Sequence, residues 1–139
     1  MPDIVYENVT SAPSETIVDL YRAGGWWQEE PAWRAAIPQM IRGSLCFLLA
    51  REPGGRVVGM GRVISDGASD GYIQDVVVLS EFRGRGIGRE IIRRLTDRCV
   101  AAGLTWIGLV AEPDTQKFYQ VLGFQPLTGF QPMLYQVRS

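Results

Sequence analysis

A glycine-rich turn with interleaved arginines joins an apolar segment to an amphipathic helix. The turn reads Arg83-Gly-Arg-Gly-Ile-Gly88 (the glycine turn, residues 83–88), and an aspartate followed by three valines and a leucine precedes it at 75–79. At the start of a helix, backbone N–H groups lack intrahelical partners and attract anions together with the helix dipole. Because the two arginines add positive charge, the segment 75–90 is predicted to hold a phosphorylated ligand.

The spacing of the glycines excludes two common phosphate-binding motifs. A dinucleotide fingerprint requires G-x-G-x-x-G, whereas this turn has G-x-G-x-G, with Arg89 at the last glycine position. A P-loop requires Gly-Lys-Ser/Thr, which the turn lacks. Two interpretations remain: a pyrophosphate-binding turn of another type, which the arginines favour, or a tight strand-to-helix turn whose glycines serve close packing.

The composition is that of an ordinary globular protein, and it excludes several chemistries. The 139 residues are 46% hydrophobic and 21% charged, with a formal net charge of −1 that gives no support for nucleic-acid binding. The sequence has no histidine, which excludes Ser-His-Asp and Cys-His nucleophiles and histidine-containing zinc sites. Cys46 and Cys99 are too few for a four-cysteine site and are expected to be buried free thiols. No metal cofactor is predicted.

The ends and the apolar runs of the chain predict its location. The N-terminus lacks a charged-plus-apolar signal, and no apolar run approaches membrane-spanning length. We therefore predict a single domain covering 1–139, in the cytoplasm and without a membrane partner.

The periodicity predicts a mixed α/β domain that positions the glycine turn between a strand and a helix. Ile87, Ile91, Leu95 and Cys99 recur at i+4 steps, which indicates one buried helix face. A buried strand at 105–111 then completes a parallel β-α-β crossover. The other predicted elements are strands at 4–9, 45–51, 56–65, 72–79, 127–130 and 133–137, and helices at 15–23, about 31–41 (disturbed by Pro38) and 114–122.

Three features together resemble the GCN5-related N-acetyltransferase superfamily. The glycine turn matches its R/Q-x-x-G-x-G/A signature, residues 76–82 look like its fourth strand, and Phe118-Tyr-Gln-Val-Leu-Gly-Phe124 is similar to its late F-Y-x-x-x-G-F segment. The resemblance implies a central, mostly antiparallel sheet of about six or seven strands with flanking helices. It also implies an N-acetyltransferase that moves an acetyl group from acetyl-CoA to a primary amine, by direct attack in a ternary complex.

The same resemblance assigns acetyl-CoA to the strand and turn described above. The backbone of the glycine turn would bind the CoA pyrophosphate, and the valine strand would pair with the pantetheine arm like an added strand. A backbone N–H near Val77 would stabilise the oxyanion, and the gap between the strands at 72–79 and 105–111 would hold the thioester. The predicted donor-binding residues are Val76, Val77, Val78, Arg83, Gly84, Arg85, Gly86, Ile87, Gly88 and Arg89.

Two side chains are the predicted catalytic groups. A phenol with a pKa of about 10 is protonated at neutral pH, and the resemblance makes Tyr119 the general acid for the CoA thiolate, whereas its spacing alone favours a core position. The amine must lose a proton, which without histidine requires a carboxylate or water. Asp75, inside a strand of valines, is the predicted base. The other carboxylates considered are Glu29, Glu30 and Glu112, while Glu81 is expected to point away from a bound anion.

Four residues are predicted to bind the acceptor, a small-molecule or peptide amine. Trp26 and Trp27 follow two glycines between the first two helices, and they could line an apolar pocket or fix the helix pair to the sheet. If they line a pocket, the acceptor is an aromatic or hydrophobic amine rather than an aminoglycoside. Glu29 and Tyr72 complete the set.

Two other functional classes remain as alternatives. A non-catalytic acetyl-CoA sensor or partner-binding module would keep the glycine turn, but the tyrosine at position 119 argues against it. A Rossmann-type nucleotide-binding protein is disfavoured by the glycine spacing and by the late position of the turn in the chain. Whatever the function, an exposed C-terminal strand could pair with a second copy to give a homodimer.

Overall fold

The computed structural model describes residues 3–137 and divides after Leu109 into two compact units. The sheet and three helices belong to the first unit, and a short helix belongs to the second. The strands are β1 (Val5–Asn8), β2 (Cys46–Arg51), β3 (Val57–Ile64), β4 (Asp70–Val78) and β5 (Trp106–Gly108). The helices are α1 (Ser14–Ala23), α2 (Pro31–Gly43), α3 (Ile87–Ala101) and α4 (Gln116–Val121), with a 3-10 turn at Ser80–Phe82.

The five strands form one sheet in the order β1-β2-β3-β4-β5. Neighbours from β1 to β4 are antiparallel, and β4 pairs with β5 in parallel through the α3 crossover. This arrangement confirms the predicted mixed α/β class with an antiparallel first half. It places the glycine turn directly between β4 and α3.

The C-terminal part of the chain differs from the sequence-based expectation. Within the described residues no strand follows Gly108, so the sheet has five strands rather than six or seven. The segments predicted as strands at 127–130 and 133–137 are irregular, and β5 is shorter than the predicted 105–111. An apolar segment becomes a strand only when a neighbour pairs with it, and pairing is a tertiary event that local composition does not determine.

The two faces of the sheet are covered differently. On one face α3 approaches closely because Gly59, Gly61 and Gly71 lack side chains; a Cβ at Gly61 would lie 2.8 Å from Ile91 and 2.9 Å from Leu95. On the other face α1 and α2 bury a cluster made of Ile17, Leu20, Ile37, Ile41, Phe47, Met60 and Val77, among others. Val77 of β4 therefore contributes to the core that holds α1 against the sheet.

Two smaller expectations have clear outcomes. Cys46 and Cys99 are free and buried, as predicted. The helix α2 continues through Pro38 to Gly43, two residues beyond the predicted end, with the neighbouring Ile37 and Ile41 both buried.

None of the helices in residues 3–137 is long and apolar enough to cross a membrane.

Candidate active site

Two of the three glycines in the glycine turn are required by backbone conformation rather than by packing. Gly84 and Gly86 have φ of +77° and +82°, in the left-handed region that residues with a Cβ adopt at a cost. A Cβ added at either position would meet nothing within 4 Å, so close packing does not explain these two glycines. Gly86 is the N-cap of α3, and no side chain caps this helix. The turn therefore leaves the start of α3 open to an anion.

The arginines of the turn are exposed and lie against backbone carbonyls. Arg83 Nε donates to the Val78 carbonyl at 3.0 Å, and Arg85 Nη2 donates to the Glu81 carbonyl at 3.2 Å. The Arg85 guanidinium also lies 4.9 Å from the centre of the Phe82 ring. The Glu81 carboxylate pairs with Arg56 at 3.5 Å and is largely exposed. Arg83 and Arg85 thus fold back onto the end of β4 and the 3-10 turn, while the Glu81 carboxylate is paired with Arg56.

The strand β4 contains a bulge at Asp75. The register with β3 passes from the pair Arg62–Gln74 to the pair Met60–Val77, so Asp75 and Val76 together face one residue, Gly61. Asp75 has φ +59°, which is uncommon for a residue other than glycine. The sequence predicts a regular strand at this position, and the structure shows a bulge instead. The bulge is the point at which the alternation of side chains along β4 is reset.

One edge of β4 has no neighbouring strand over its second half. Pairing with β5 covers only Asp70–Tyr72, opposite Trp106–Gly108. Within the described residues no strand pairs with the β5-facing edge at 73–78, whereas Val77 and Val78 pair with β3 on the opposite edge. This free edge runs directly toward the glycine turn. An extended ligand could add to it through main-chain hydrogen bonds.

The Asp75 carboxylate joins two other polar side chains in a Tyr21–Asp75–Arg62 cluster. The Tyr21 hydroxyl donates to Oδ2 at 2.7 Å, and Arg62 Nε donates to the same oxygen at 2.8 Å. The side chains of Arg62 and Asp75 are only 13% and 12% exposed. Burial, followed by the negative charge of Asp75, raises the pKa of Tyr21 well above that of an ordinary phenol. Tyr21 is therefore a permanent hydrogen-bond donor to Asp75 at physiological pH.

Tyr21 also lines an aromatic cavity between α1 and α2. The cavity measures about 300 Å³, and its lining is almost entirely apolar. The Trp27 ring centre lies 6.3 Å from that of Tyr21 and 5.9 Å from that of Trp33. The residues lining it are Tyr21, Trp27, Ala32, Trp33, Ala36 and Met40.

One polar atom of Trp27 is shielded from solvent. Nε1 is buried and makes no hydrogen bond of normal geometry within residues 3–137. The Glu29 carboxyl group lies close to it, because Arg22, the larger cause, and Trp27 together lower the pKa of Glu29. A buried indole N–H is usually hydrogen-bonded, and Glu29 is the acceptor that the structure offers to this donor.

The other predicted acceptor-binding residues have different surroundings. Trp26 does not line the cavity; it packs against the core and contacts Tyr21 edge to face at 6.2 Å. Glu29 is exposed and accepts two hydrogen bonds from Arg22, at 2.9 and 2.7 Å. Tyr72 is half-buried in β4 opposite Ile64. Trp27 alone among the four lines the cavity.

The predicted general acid lies in the second unit. Tyr119 is half-buried in α4, with its ring centre 5.0 Å from that of Phe118 and 6.0 Å from that of Phe124. Burial, followed by the charge of Glu112, raises the pKa of Tyr119 above its ordinary value. The phenol is therefore protonated at neutral pH and able to donate.

A sequence model of the Acetyltransferase (GNAT) family matches residues 12–124, which include the glycine turn, the Asp75 bulge and α4. The chain belongs to this family. The glycine turn, the Asp75 bulge and α4 therefore all lie in the part of the chain that matches acetyltransferases of this family. Within residues 3–137, no group of three or more cysteine and carboxylate side chains is arranged to hold a metal ion.

Individual relatives agree with the family assignment. An uncharacterized N-acetyltransferase, ycf52, of Pyropia yezoensis is 31% identical over 99 residues, which cover 70% of this chain and 57% of the relative. Serotonin N-acetyltransferase 2, chloroplastic, of Oryza sativa subsp. japonica is 37% identical over 75 residues, covering 54% of this chain and 38% of the relative. The chain therefore spans less than two thirds of the length of these curated relatives.

A solved structure confirms the fold over almost the whole chain. The GNAT family acetyltransferase of Streptococcus pneumoniae TIGR4 superimposes with a TM-score of 0.81 and 26% sequence identity. The match covers 99% of this chain and 100% of that one. The GNAT fold predicted from the sequence is thus confirmed.

Two residues of the site are not predicted from the sequence, Arg62 and Tyr21. The helical periodicity places Tyr21 only on the apolar face of a helix, and no role is predicted for Arg62. A signal for Arg62 was present, because it is the only charged residue of β3 and the hairpin brings it beside Asp75, one of the two acidic residues of β4. Opposite charges on neighbouring strands favour contact.

Proposed function

We propose that this protein transfers an acetyl group from acetyl-CoA to a primary amine. The observation that carries the proposal is the free edge of β4 at 73–78, which leads into a glycine turn with open backbone. An extended, amide-containing arm followed by a pyrophosphate matches these two features in order. Membership of the acetyltransferase family supports the same reaction.

The residues that would hold acetyl-CoA fit the group. The backbone of Val76, Val77 and Val78 offers hydrogen-bonding groups to the pantetheine arm, and the backbone of residues 84–89 offers N–H donors to the pyrophosphate. Ile87 contributes through its main chain, because its side chain is 2% exposed and anchors α3 in the core. Arg83, Arg85 and Arg89 are exposed around the turn and supply positive charge.

The chemistry requires one bond to form, one to break and two proton transfers. The neutral amine attacks the thioester carbonyl, so that a C–N bond forms and the C–S bond breaks. A backbone N–H near Val77 would stabilise the carbonyl oxygen as it gains charge. The CoA thiolate takes a proton, for which we propose Tyr119, and the amine gives up its proton to water. Positioning of the amine supplies the rest of the rate enhancement.

The acceptor we propose is an aromatic amine. The cavity between α1 and α2 has aromatic walls and a volume of about 300 Å³, and its lining includes no charged residue. The rice relative named serotonin N-acetyltransferase is consistent with this class of acceptor. Glu29 and Tyr72 stay as predicted contacts of the acceptor, whereas Trp26 would act by supporting Tyr21.

The remaining predictions about partners and location accompany this proposal. We propose a cytoplasmic enzyme with no nucleic-acid or membrane partner, since the net charge is −1. The exposed apolar side chains of Met133, Leu134, Tyr135 and Val137 support the predicted homodimer, because such a surface gains from being covered.

The experiment is a measurement of free thiol release from acetyl-CoA with a panel of amines. Serotonin, an aliphatic monoamine and a lysine peptide would be compared with a reaction lacking amine. We expect amine-dependent release that is largest with serotonin. Release no faster than without amine, together with a thermal shift by acetyl-CoA, would instead identify a non-catalytic sensor.

Replacement of the proposed acid tests the catalytic step separately. Tyr119→Phe keeps the ring contacts with Phe118 and Phe124 and removes only the hydroxyl. We expect kcat to fall about 10²-fold or more, with acetyl-CoA affinity by calorimetry unchanged. Tyr6→Phe, in β1, is the matched control. If kcat of Tyr119→Phe equals that of the control, Tyr119 has only a packing role.

A further inference from the structure

The backbone conformation of Asp75 is the least favourable one in the described part of β4. Its φ of +59° lies in the left-handed region, which glycine tolerates best and Asn and Asp tolerate better than other residues with a Cβ. Such a residue persists only when its surroundings hold it in place. The structure shows which side chains hold Asp75 in this conformation.

Two side chains from distant parts of the sequence converge on the Asp75 carboxylate. Tyr21 comes from α1, 54 residues away, and Arg62 comes from β3, 13 residues away. Both donate to Oδ2, and the side chains of Asp75 and Arg62 are almost fully shielded from solvent. Because both donors are fixed in packed elements, the carboxylate has one available position, and its backbone is fixed with it.

The bulge held in this way lies where the sheet opens. Pairing of β4 with β5 ends at Tyr72, and Asp75 follows three residues later. On the far side of the strand, Val76 turns toward α3, where its Cγ2 would lie 3.2 Å from a Cβ at Gly61. The absence of a side chain at Gly61 makes room for the bulge. The Tyr21–Asp75–Arg62 cluster holds the strand on one face, and the missing side chain at Gly61 leaves room for it on the other face. Together they determine the course of the backbone at 75–77.

We propose that Tyr21 and Arg62 are positioning residues that act through Asp75 to hold the β4 bulge, and with it the backbone groups that face the acetyl donor. This inference rests on the proposed function for its consequence in catalysis. It gives Asp75 a role other than that of a base: its carboxylate anchors the strand. Tyr21, which also lines the aromatic cavity, connects the acceptor side to the donor side of the site.

Three substitutions at one position separate anchoring from base catalysis. Asp75→Asn keeps two oxygen lone pairs for Tyr21 and Arg62 and tolerates positive φ, but it cannot take up a proton near neutral pH. Asp75→Ala removes the anchor and is strained, whereas Asp75→Gly removes the anchor without strain. We expect kcat to fall less than about threefold in Asp75→Asn and about 10- to 100-fold in Asp75→Ala, with Asp75→Gly between them. The KM for acetyl-CoA and the acid limb of the pH–rate profile should stay unchanged in Asp75→Asn.

A base role for Asp75 gives a different pattern. Asp75→Asn and Asp75→Ala would then lose kcat equally, because neither new side chain can accept the proton, and the acid limb of the pH–rate profile would shift in both variants. That result would overturn the proposal.

Amide hydrogen exchange supplies a readout that does not depend on turnover. In the protein without ligand, amides at 73–78 should exchange faster in Asp75→Ala and Arg62→Met than in the wild type. They should remain slow in Asp75→Asn and in the control Arg51→Met, which breaks the Arg51–Glu7 pair between β2 and β1. Unchanged exchange at 73–78 in both Asp75→Ala and Arg62→Met would overturn the anchoring role, even in a protein that shows no acetyl transfer. Absence of turnover in the wild type, with the exchange pattern as expected, would refute the proposed function and leave the anchor intact.

Discussion

Two sites with left-handed backbone lie about ten residues apart in this chain, and they are built in opposite ways. At Gly84 and Gly86 the conformation comes from the residue type, and the space around each is open. At Asp75 the same conformation is imposed on a residue with a side chain by Tyr21 and Arg62. One site is local and exposed, whereas the other is tertiary and buried.

Because of this difference, the glycine turn and the Asp75 bulge should respond differently to substitution. At a glycine, adding a Cβ is enough to disfavour positive φ, whatever residues surround that position. Positive φ at Asp75 depends on partners in α1 and β3, so substitutions far away in sequence should disturb it.

Arg62→Met should have the largest effect. It leaves the buried Asp75 carboxylate without its cation, and breaking a buried pair in this way costs about 3 kcal/mol of unfolding free energy. Denaturant unfolding measures this loss. The control Arg51→Met breaks a more exposed pair and should cost less than about 1 kcal/mol. Equal losses in the two variants would show that Arg62 does not hold β4.

Gly86→Ala should have the next largest effect. The new Cβ meets no atom within 4 Å, so the cost is purely conformational, about 1–2 kcal/mol. Acetyl-CoA affinity, measured by calorimetry, should fall about tenfold because the turn must change shape. Gly43→Ala, at the open C-terminal end of α2, should be neutral or slightly stabilising. If Gly86→Ala matches Gly43→Ala in both stability and affinity, the turn does not need its glycine.

Tyr21→Phe should cost about 1–2 kcal/mol, because one hydrogen bond to a charged group is lost. The pKa of Tyr21 is raised in the folded state, so its contribution is fully present below about pH 10, the ordinary phenol value, and is lost as pH rises through the raised pKa. The difference between wild type and variant should therefore be constant from about pH 6 to 9 and should shrink above about pH 10. A difference that already disappears near neutral pH would argue against a buried, protonated Tyr21.

Arg85→Ala should have the smallest effect on stability, below about 0.5 kcal/mol, because the side chain is exposed. Its effect should appear in donor binding, as a loss of a few-fold in acetyl-CoA affinity that diminishes with added salt. Arg42→Ala, in the last turn of α2, is the control. An affinity as high as that of the control would remove Arg85 from the donor site.

The two halves of the site also differ in how far the sequence predicts them. The glycine turn was predictable because its requirement is local: glycine spacing, arginines and the following amphipathic helix are all contiguous. The order of the elements through α3 was predictable for the same reason, since each element has its own periodicity.

The anchored bulge was not predictable from local pattern. An aspartate within a run of valines reads as a regular strand position, and only the register between β3 and β4 reveals the extra residue. The division of the tandem tryptophans, with Trp27 lining the cavity and Trp26 in the core, likewise depends on how α1 meets α2. The segments at 127–130 and 133–137 have the composition of strands but no strand neighbour in the described residues.

The central claim is that acetyl-CoA binds along the free edge of β4 and at the glycine turn. Hydrogen–deuterium exchange at saturating acetyl-CoA tests it most directly. The account predicts slower exchange of the amides at 76–78 and 84–89, with no change in β1. Binding detected by calorimetry without added protection in either of these two segments would contradict it.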